Sequence, residues 1–304
     1  MSPDARLQNA IVAPMSQERL AASLDIDRCS PIEIVRIIQE QDRLVAKAVA
    51  AATERIAQAI EEVSARLARG GRLFYAGAGT SGRIALLDAS ELPPTYGVDP
   101  GLVRVLMAGG ERAFTQAVEG AEDDEPAAIA AVDEHVTSGD ALVGVAASGT
   151  TPYTLAAVRR AHELGALTVG VTSSPGSPLA REARIPIVAD TGPEVILGST
   201  RMKSGTAQKL ILNTLSTGVM IRLGRVYSNL MIEMPATNEK LRRRAVRMVE
   251  LAAEVPRETA VQALLDADGH VKLAAVMAKK KITRADAERL LAEDRSDLRE
   301  VLGP

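Results

Sequence analysis

Short apolar runs that alternate with helical patterns constrain the fold of this 304-residue chain more than any other feature. Such runs have the length of buried strands, and strands joined by helical crossovers form a parallel sheet. We therefore predict an α/β fold: a doubly wound, five-stranded parallel sheet with strand order 2-1-3-4-5. The predicted strands lie near residues 72–76, 103–108, 140–147, 167–172 and 185–190.

The first predicted strand leads into the turn GAGTSG, which opens a helix. Gly79 lets the backbone approach a ligand, while Thr80 and Ser81 place hydroxyls beside the free amides of a helix start, where the helix dipole favours an anion. The turn therefore predicts a phosphate site. A dinucleotide site and a purely structural turn are alternatives, because the string also matches G-x-G-x-x-G. The acidic residue of a dinucleotide site is missing, since the next strand ends in Gly109-Gly110.

A second hydroxyl-rich turn follows the third predicted strand and again precedes a helix. With strand order 2-1-3-4-5, the ligand crevice lies where strands one and three diverge, so both turns are expected there. We predict that Ser148, Gly149 and Thr151 complete the phosphate site. The alternative is that serine and threonine merely cap helices, a role for which both are common.

Two glutamates are candidates for acid–base chemistry. Glu91 lies in DASELPP, where Pro93-Pro94 is expected to end the helix, and Glu122 lies in AVEGAEDDE after the second strand. Sugar phosphates commonly isomerise or lose a group beta to a carbonyl, and both reactions begin with proton abstraction beside that carbonyl. Two carboxylates with separated pKa values can serve as base and acid. For Glu122 the alternative is a solvated acidic loop.

Composition excludes several classes of partner. The net charge is −3 with 36 basic and 39 acidic residues, and two Phe, four Tyr and no Trp leave little to stack bases on, which argues against nucleic acid. A single Cys29 and three histidines argue against a disulfide and against a zinc site. Because we find no signal sequence and no long uncharged apolar run, we expect a cytoplasmic protein that does not bind a membrane.

The predicted sheet is flanked by helical segments. Ser30-Pro31-Ile32-Glu33 forms a capping box that starts a helix through about Gln41, and a second amphipathic helix ends at Gly70-Gly71. Beyond Glu239 every pattern is helical, and Thr283-x-x-Asp286 is expected to cap the last of these helices. We predict a catalytic domain over residues 1–238, including the N-terminal helices, and a small helical domain over 239–304.

Seven long motifs follow one another along the chain: GAGTSGR, DASELPPTYG, AVEGAEDD, AASGTTPY, GSTRMKSGTAQK, LNTLSTG and ATNEKL. Together they resemble the N-acetylmuramic acid 6-phosphate etherase family of sugar-isomerase-type (SIS) proteins. The resemblance runs from about Leu24 to the C-terminus and implies a cytoplasmic homodimeric lyase without metal or nucleotide, which cleaves the lactyl ether of its substrate in cell-wall sugar recycling. It also implies that the C-terminal helical domain is ubiquitin-associated-like.

The resemblance also implies roles for individual residues. Glu91 matches the proton donor and Glu122 the second catalytic glutamate, while Ser81, Ser148 and Thr151 match hydroxyls that hold the phosphate. The chain departs from the family at position 150, where a threonine stands in place of the arginine of an SGRTP turn.

Two rival functions use the same fold. A regulatory protein that binds sugar phosphate would share the GTSGR turn, as the glucokinase regulatory protein does, but that protein carries two SIS modules. Sugar-phosphate isomerases usually use histidine for ring opening, and His135, His162 and His270 lie in helical patterns away from both turns. A single module with both glutamates favours the lyase.

Overall fold

The five predicted strands form one parallel sheet in the computed structural model, which describes residues 18–236, 238–293 and 298–302. The strand order is β2-β1-β3-β4-β5, so the predicted fold class and order are confirmed. All residues of β1, β3 and β4 are buried, as expected for strands covered on both faces. The strands are β1 (Leu73–Gly77), β2 (Val103–Met107), β3 (Ala141–Val145), β4 (Leu167–Thr172) and β5 (Ile185–Val188).

Two compact units divide the chain. The first comprises the residues up to Ala89 together with Val103–Ser216, and the second comprises Ser90–Leu102 together with the chain from Thr217 onward. The boundary at 238/239 stays a sequence-based prediction. The helices from the N-terminal end through the crossovers are α1 (Pro31–Ala50), α2 (Thr53–Leu67), α3 (Gly79–Tyr96), α4 (Glu125–His135), α5 (Pro152–Glu163), α6 (Pro178–Glu182) and α7 (Lys203–Arg222).

The N-terminal helix begins as predicted but is longer. The Ser30 amide donates to Glu33 Oε2 at 2.8 Å, which confirms the capping box. The predicted end near Gln41 is wrong, because α1 continues to Ala50. No glycine or proline stands between these positions, and the intervening residues are mostly good helix formers, so nothing local stops the helix.

The helix that carries Glu91 also continues past its predicted end. Pro93 and Pro94 lie inside α3, which runs to Tyr96. The fixed φ of proline is compatible with a helix, although each ring removes one backbone donor. The stop is Gly97, whose φ is +60° and whose amide donates to the Pro93 carbonyl at 3.0 Å. A Cβ at Gly97 would lie 2.3 Å from the Glu233 carbonyl oxygen, so only glycine fits.

An apolar cluster packs one face of the sheet against α4 and α5. Alternate residues of the strands point toward the same face, and α4 and α5 supply the opposing aliphatic side chains. The cluster includes Phe74, Ala76, Leu106, Leu142, Val132 and Val158.

The second unit is helical and has its own core. Its helices confirm the helical character predicted beyond Glu239, and Asp286 donates its amide to Thr283 Oγ1 at 3.3 Å as the predicted cap requires. Within the described ranges, no helix is long and apolar enough to cross a membrane. The helices are α8 (Glu239–Ala253), α9 (Arg257–Asp266), α10 (Val271–Lys280), α11 (Arg284–Glu293) and α12 (Leu298–Leu302).

Candidate functional site

The two hydroxyl-rich turns leave neighbouring strands at the same edge of the sheet. Gly77 at the end of β1 pairs with Val145 at the end of β3, so the two following turns start side by side. The first turn leads into α3 and the second into α5. Each turn therefore presents the unpaired amides of a helix start at the switch point of the sheet.

The first turn is open to a ligand. Gly79 has a φ of +52°, and no described atom lies within 4 Å of the position of a Cβ there. Ser81 is only partly exposed, and within the described residues its hydroxyl makes no hydrogen bond. The backbone and the hydroxyl are thus both available to an anion.

The second turn is tightly packed against Ser177. Gly149 has a φ of +67°, and a Cβ there would lie 2.2 Å from Ser177 Oγ and 2.6 Å from Ser177 Cβ. Within the turn, the Thr150 amide donates to Ser148 Oγ at 3.2 Å, and the Ser148 and Thr150 hydroxyls lie 2.9 Å apart. Thr151 is the N-cap residue of α5, but in the described chain its side chain makes no capping hydrogen bond. Helix capping therefore does not account for the Thr151 hydroxyl.

A cavity of about 370 Å³ lies beside the first turn. Ala78, Gly79 and Arg83 line one side, and the segment 116–122 lines the other. Glu122 belongs to a 3₁₀ turn, Ala121–Asp123, and its exposed carboxylate borders the cavity. A carboxylate and a helix start thus border one cavity, and such groups suit binding a phosphate ester and abstracting a proton from it.

The other predicted residues lie elsewhere. Thr80 and Ser81 of the first turn are not among the described residues that line this cavity, although Gly79 is. Ser148, Gly149 and Thr151 do not line it either, although their turn leaves the adjacent strand. Glu91 is exposed and lies in the second unit, on the later part of α3. Its role beside Glu122 therefore stays a prediction.

Arg83 is a site residue that the sequence reasoning missed. Its Nε donates to the carbonyls of Ala113 and Phe114 at 3.1 and 3.2 Å, and its Nη2 donates to the carbonyl of Gln116 at 3.0 Å. Arg83 therefore ties the start of α3 to the segment that carries Glu122. The available signal was the arginine that follows Ser81 within GTSGR.

A buried carboxylate joins α3 to α7 in the first unit. Asp88 is 4% exposed and accepts hydrogen bonds from Tyr75 Oη at 2.8 Å, Asn213 Nδ2 at 2.6 Å and Ser216 Oγ at 3.0 Å. Burial, together with the neighbouring charge of Asp88, raises the pKa of Tyr75 well above its usual value. Three donors satisfy the carboxylate, so α3 is held in one rotation about its axis.

A second buried charge marks the start of α7. Lys203 is 1% exposed, and its Nζ donates to Gln41 Oε1 at 3.0 Å. Glu194 accepts from the amides of Lys203 and Ser204, each at 3.0 Å, and so satisfies the positive end of the helix dipole. Burial lowers the pKa of Lys203 despite the attraction of nearby carboxylates, including Glu194.

Ionisable side chains offer no evident metal site in the described part of the chain. No group of three or more His, Cys, Asp or Glu residues there is arranged to hold a metal ion.

Comparison with known proteins identifies close relatives over nearly the whole chain. The chain is 55% identical to an N-acetylmuramic acid 6-phosphate etherase of Symbiobacterium thermophilum, covering 86% of this chain and 87% of that relative. It is 47% identical to a protein of the same name from Clostridium beijerinckii, covering 94% and 95%. A third, from Shigella boydii, is 48% identical over 93% and 95%.

Family profiles and solved structures agree with the observed fold. Residues 55–162 match the glucokinase regulatory protein N-terminal SIS domain, and residues 115–217 match the SIS domain. A phosphoheptose isomerase structure from Francisella tularensis superimposes with a TM-score of 0.50 at 22% identity, covering 64% of this chain and 99% of that one. This likeness concerns the fold alone.

Proposed function

Because the chain belongs to the N-acetylmuramic acid 6-phosphate etherase family, we propose that it is the lyase that cleaves the D-lactyl ether of N-acetylmuramic acid 6-phosphate. The products are N-acetylglucosamine 6-phosphate and D-lactate, formed by elimination and water addition in cell-wall amino-sugar recycling. The observation that carries this proposal is the near-full-length similarity to relatives of that name. The cavity between a helix-start turn and Glu122 supplies matching chemistry.

The phosphate is held by the two turns in this proposal. Gly79, Thr80 and Ser81 contribute from the start of α3, and Ser148, Gly149 and Thr151 contribute from the turn before α5. Backbone amides at two helix starts and four hydroxyls suit a doubly charged anion. The Ser81 hydroxyl, which has no hydrogen-bond partner among the described residues, and the paired strand ends support this arrangement.

Hydroxyl deletions test the phosphate site. Losing one hydrogen bond to a charged group costs roughly 1.5–3 kcal/mol, or about ten- to a hundredfold in affinity. Ser81→Ala and Ser148→Ala should each weaken inhibition by inorganic phosphate and raise KM. Ser138→Ala, at an exposed serine before β3, is the matched control. Unchanged phosphate inhibition in both site variants would rule out these two hydroxyls as ligands.

Glu122 is the base and Glu91 the acid in the proposed reaction. The hydrogen on carbon 2 is acidic once the ring opens to the aldehyde, and Glu122 removes it while the electron pair moves toward the carbonyl. The carbon 3–oxygen bond then breaks as Glu91 protonates the departing lactate oxygen. Water then adds to carbon 3 of the unsaturated aldehyde and loses a proton to the Glu91 carboxylate. Glu122 returns its proton to carbon 2, which gives the product sugar with a hydroxyl on carbon 3.

Amide variants separate the two carboxylates. Glu91→Gln should still exchange the carbon 2 proton with deuterated solvent but release almost no lactate, whereas Glu122→Gln should do neither. A positioned acid or base contributes about two to four orders of magnitude in rate. NMR of proton exchange beside a D-lactate assay measures both steps. The opposite pattern reverses the roles, and full lactate release by both variants removes both residues from the mechanism.

The reaction class has a direct assay. The protein should release D-lactate from N-acetylmuramic acid 6-phosphate in the presence of a chelator and without nucleotide. Tight sugar-phosphate binding without lactate would support a regulatory protein instead. Aldose–ketose interconversion without lactate would support an isomerase.

The proposed assembly is a homodimer in the cytoplasm. Ile32 and Val35 are exposed apolar side chains three residues apart on α1, and they leave an apolar patch that a second copy would cover. An adjacent apolar groove of about 400 Å³ is lined by α1, α2 and the early part of α7. Light scattering coupled to size exclusion should give twice the monomer mass, and Val35→Glu should lower it. A monomeric wild type would refute the dimer.

A further inference from the structure

The segment between β2 and α4 carries Glu122 but is loosely packed. Residues 118–121 line the cavity of about 370 Å³ beside the first turn, and they also line a second cavity of about 490 Å³. Residues 115–117, Glu119 and Gly120 are exposed. Side-chain packing therefore holds this stretch of backbone at few points, chiefly Ala113, Val118 and Ala121.

The start of α3, in contrast, is a rigid base. A Cβ on Gly82 would lie 2.1 Å from Met107 Sδ and 2.9 Å from the Gly77 carbonyl oxygen, so the first turn of the helix sits directly on the sheet. Arg83 is the next residue, and its guanidinium reaches three carbonyls of the loose segment. The arginine thus connects the packed start of α3 to the segment that leads to Glu122.

We propose that Arg83 is a positioning residue that holds the Glu122 carboxylate at the rim of the cavity beside the first turn. The inference rests on the proposed function, in which Glu122 removes the carbon 2 proton. The planar guanidinium donates in several fixed directions at once, which the single ammonium of lysine cannot reproduce. Without these bonds the segment moves into either cavity, and a shift of about 1 Å costs on the order of a hundredfold in rate.

A double-mutant cycle tests the inference. Arg83→Lys should lower kcat by about ten- to a hundredfold while leaving KM and inhibition by inorganic phosphate within about twofold of the wild type. Because Arg83 acts through Glu122, the double variant Arg83→Lys, Glu122→Gln should be no slower than Glu122→Gln alone. Arg112→Lys is the matched control and should keep full activity. Within the described residues, the guanidinium of exposed Arg112 donates only to Gln116 Oε1, at 3.1 Å.

The outcomes are distinguishable. If Arg83→Lys slows the reaction by the same factor with and without the Glu122 carboxylate, Arg83 has an independent role and the inference is wrong. A loss explained by a smaller folded fraction, measured by active-site titration and thermal melting, is equally contrary, and Arg83→Gln repeats the test with a different side chain. If Glu122→Gln itself retains full lactate release, the proposed base fails and the inference fails with it.

Discussion

Substituting Gly149 by alanine should destabilise the protein far more than the same change at Gly176. Both glycines have a φ of +67°, so the conformational cost of a Cβ is the same at the two positions. They differ in their surroundings. At Gly176 no described atom lies within 4 Å of the new Cβ, whereas at Gly149 it would meet Ser177 Oγ at 2.2 Å, Ser177 Cβ at 2.6 Å and Thr172 Oγ1 at 2.8 Å.

These surroundings set the expected magnitudes. A left-handed backbone conformation costs an alanine roughly 1–2 kcal/mol, which is the whole effect expected for Gly176→Ala. Overpacking adds typically about 1–3 kcal/mol at Gly149. Rotation of the Ser177 hydroxyl relieves only the shortest contact, because the Ser177 Cβ belongs to the α6 N-cap residue and cannot rotate away. The free energy of unfolding should therefore fall by roughly 2–5 kcal/mol in Gly149→Ala.

Urea denaturation followed by circular dichroism measures both variants at one pH. The Gly149 variant should also show a raised KM, since the displaced turn carries Ser148 and Thr151, whereas exposed Gly176 lies outside the proposed site. Equal destabilisation by the two substitutions would show that the second turn accommodates a Cβ at position 149 without losing free energy of unfolding to overpacking. In that case close packing beneath Gly149 is not what shapes the second turn.

Three further changes probe the electrostatics of the first unit. Asp88→Asn replaces a carboxylate that accepts from three donors, so each buried donor left unpaired should cost roughly 1–3 kcal/mol in urea unfolding. Burial raises the pKa of Asp140, but hydrogen bonds from Arg72 and Thr137 together outweigh it, so the pKa is lowered. The ionised carboxylate therefore stabilises the folded protein above the unfolded pKa of about 3.9, and this stabilisation is lost as pH falls through the folded pKa. Asp140→Asn should flatten that acid limb, and an unchanged pH profile would contradict the assignment. Thr150→Arg should tighten inhibition by inorganic phosphate about tenfold at low salt and less at high salt, and no change would place position 150 away from the anion.

Local sequence patterns were sufficient to predict the strands and the helix starts. The strands around Leu73–Gly77 and Ala141–Val145, the capping box at Ser30 and the cap at Thr283 all depend on neighbours within a few residues. Strand order also followed, because parallel strands with helical crossovers admit few arrangements. The long motifs, read together, were enough to indicate the etherase family.

Only the tertiary structure decided where α3 ends and which distant residues its side chains contact. The helix continues through Pro93-Pro94 and stops before Gly97. Only glycine fits at position 97 because the carbonyl of Glu233, more than a hundred residues away in sequence, lies against it. Arg83 contacts carbonyls about 30 residues on, and Asp88 meets Asn213 and Ser216 more than 120 residues on. No periodicity or spacing in one sequence encodes such pairs, because they form only when the sheet brings distant segments together. Backbone carbonyls, moreover, are the same in every residue, so the partners of Arg83 leave no trace in residue type.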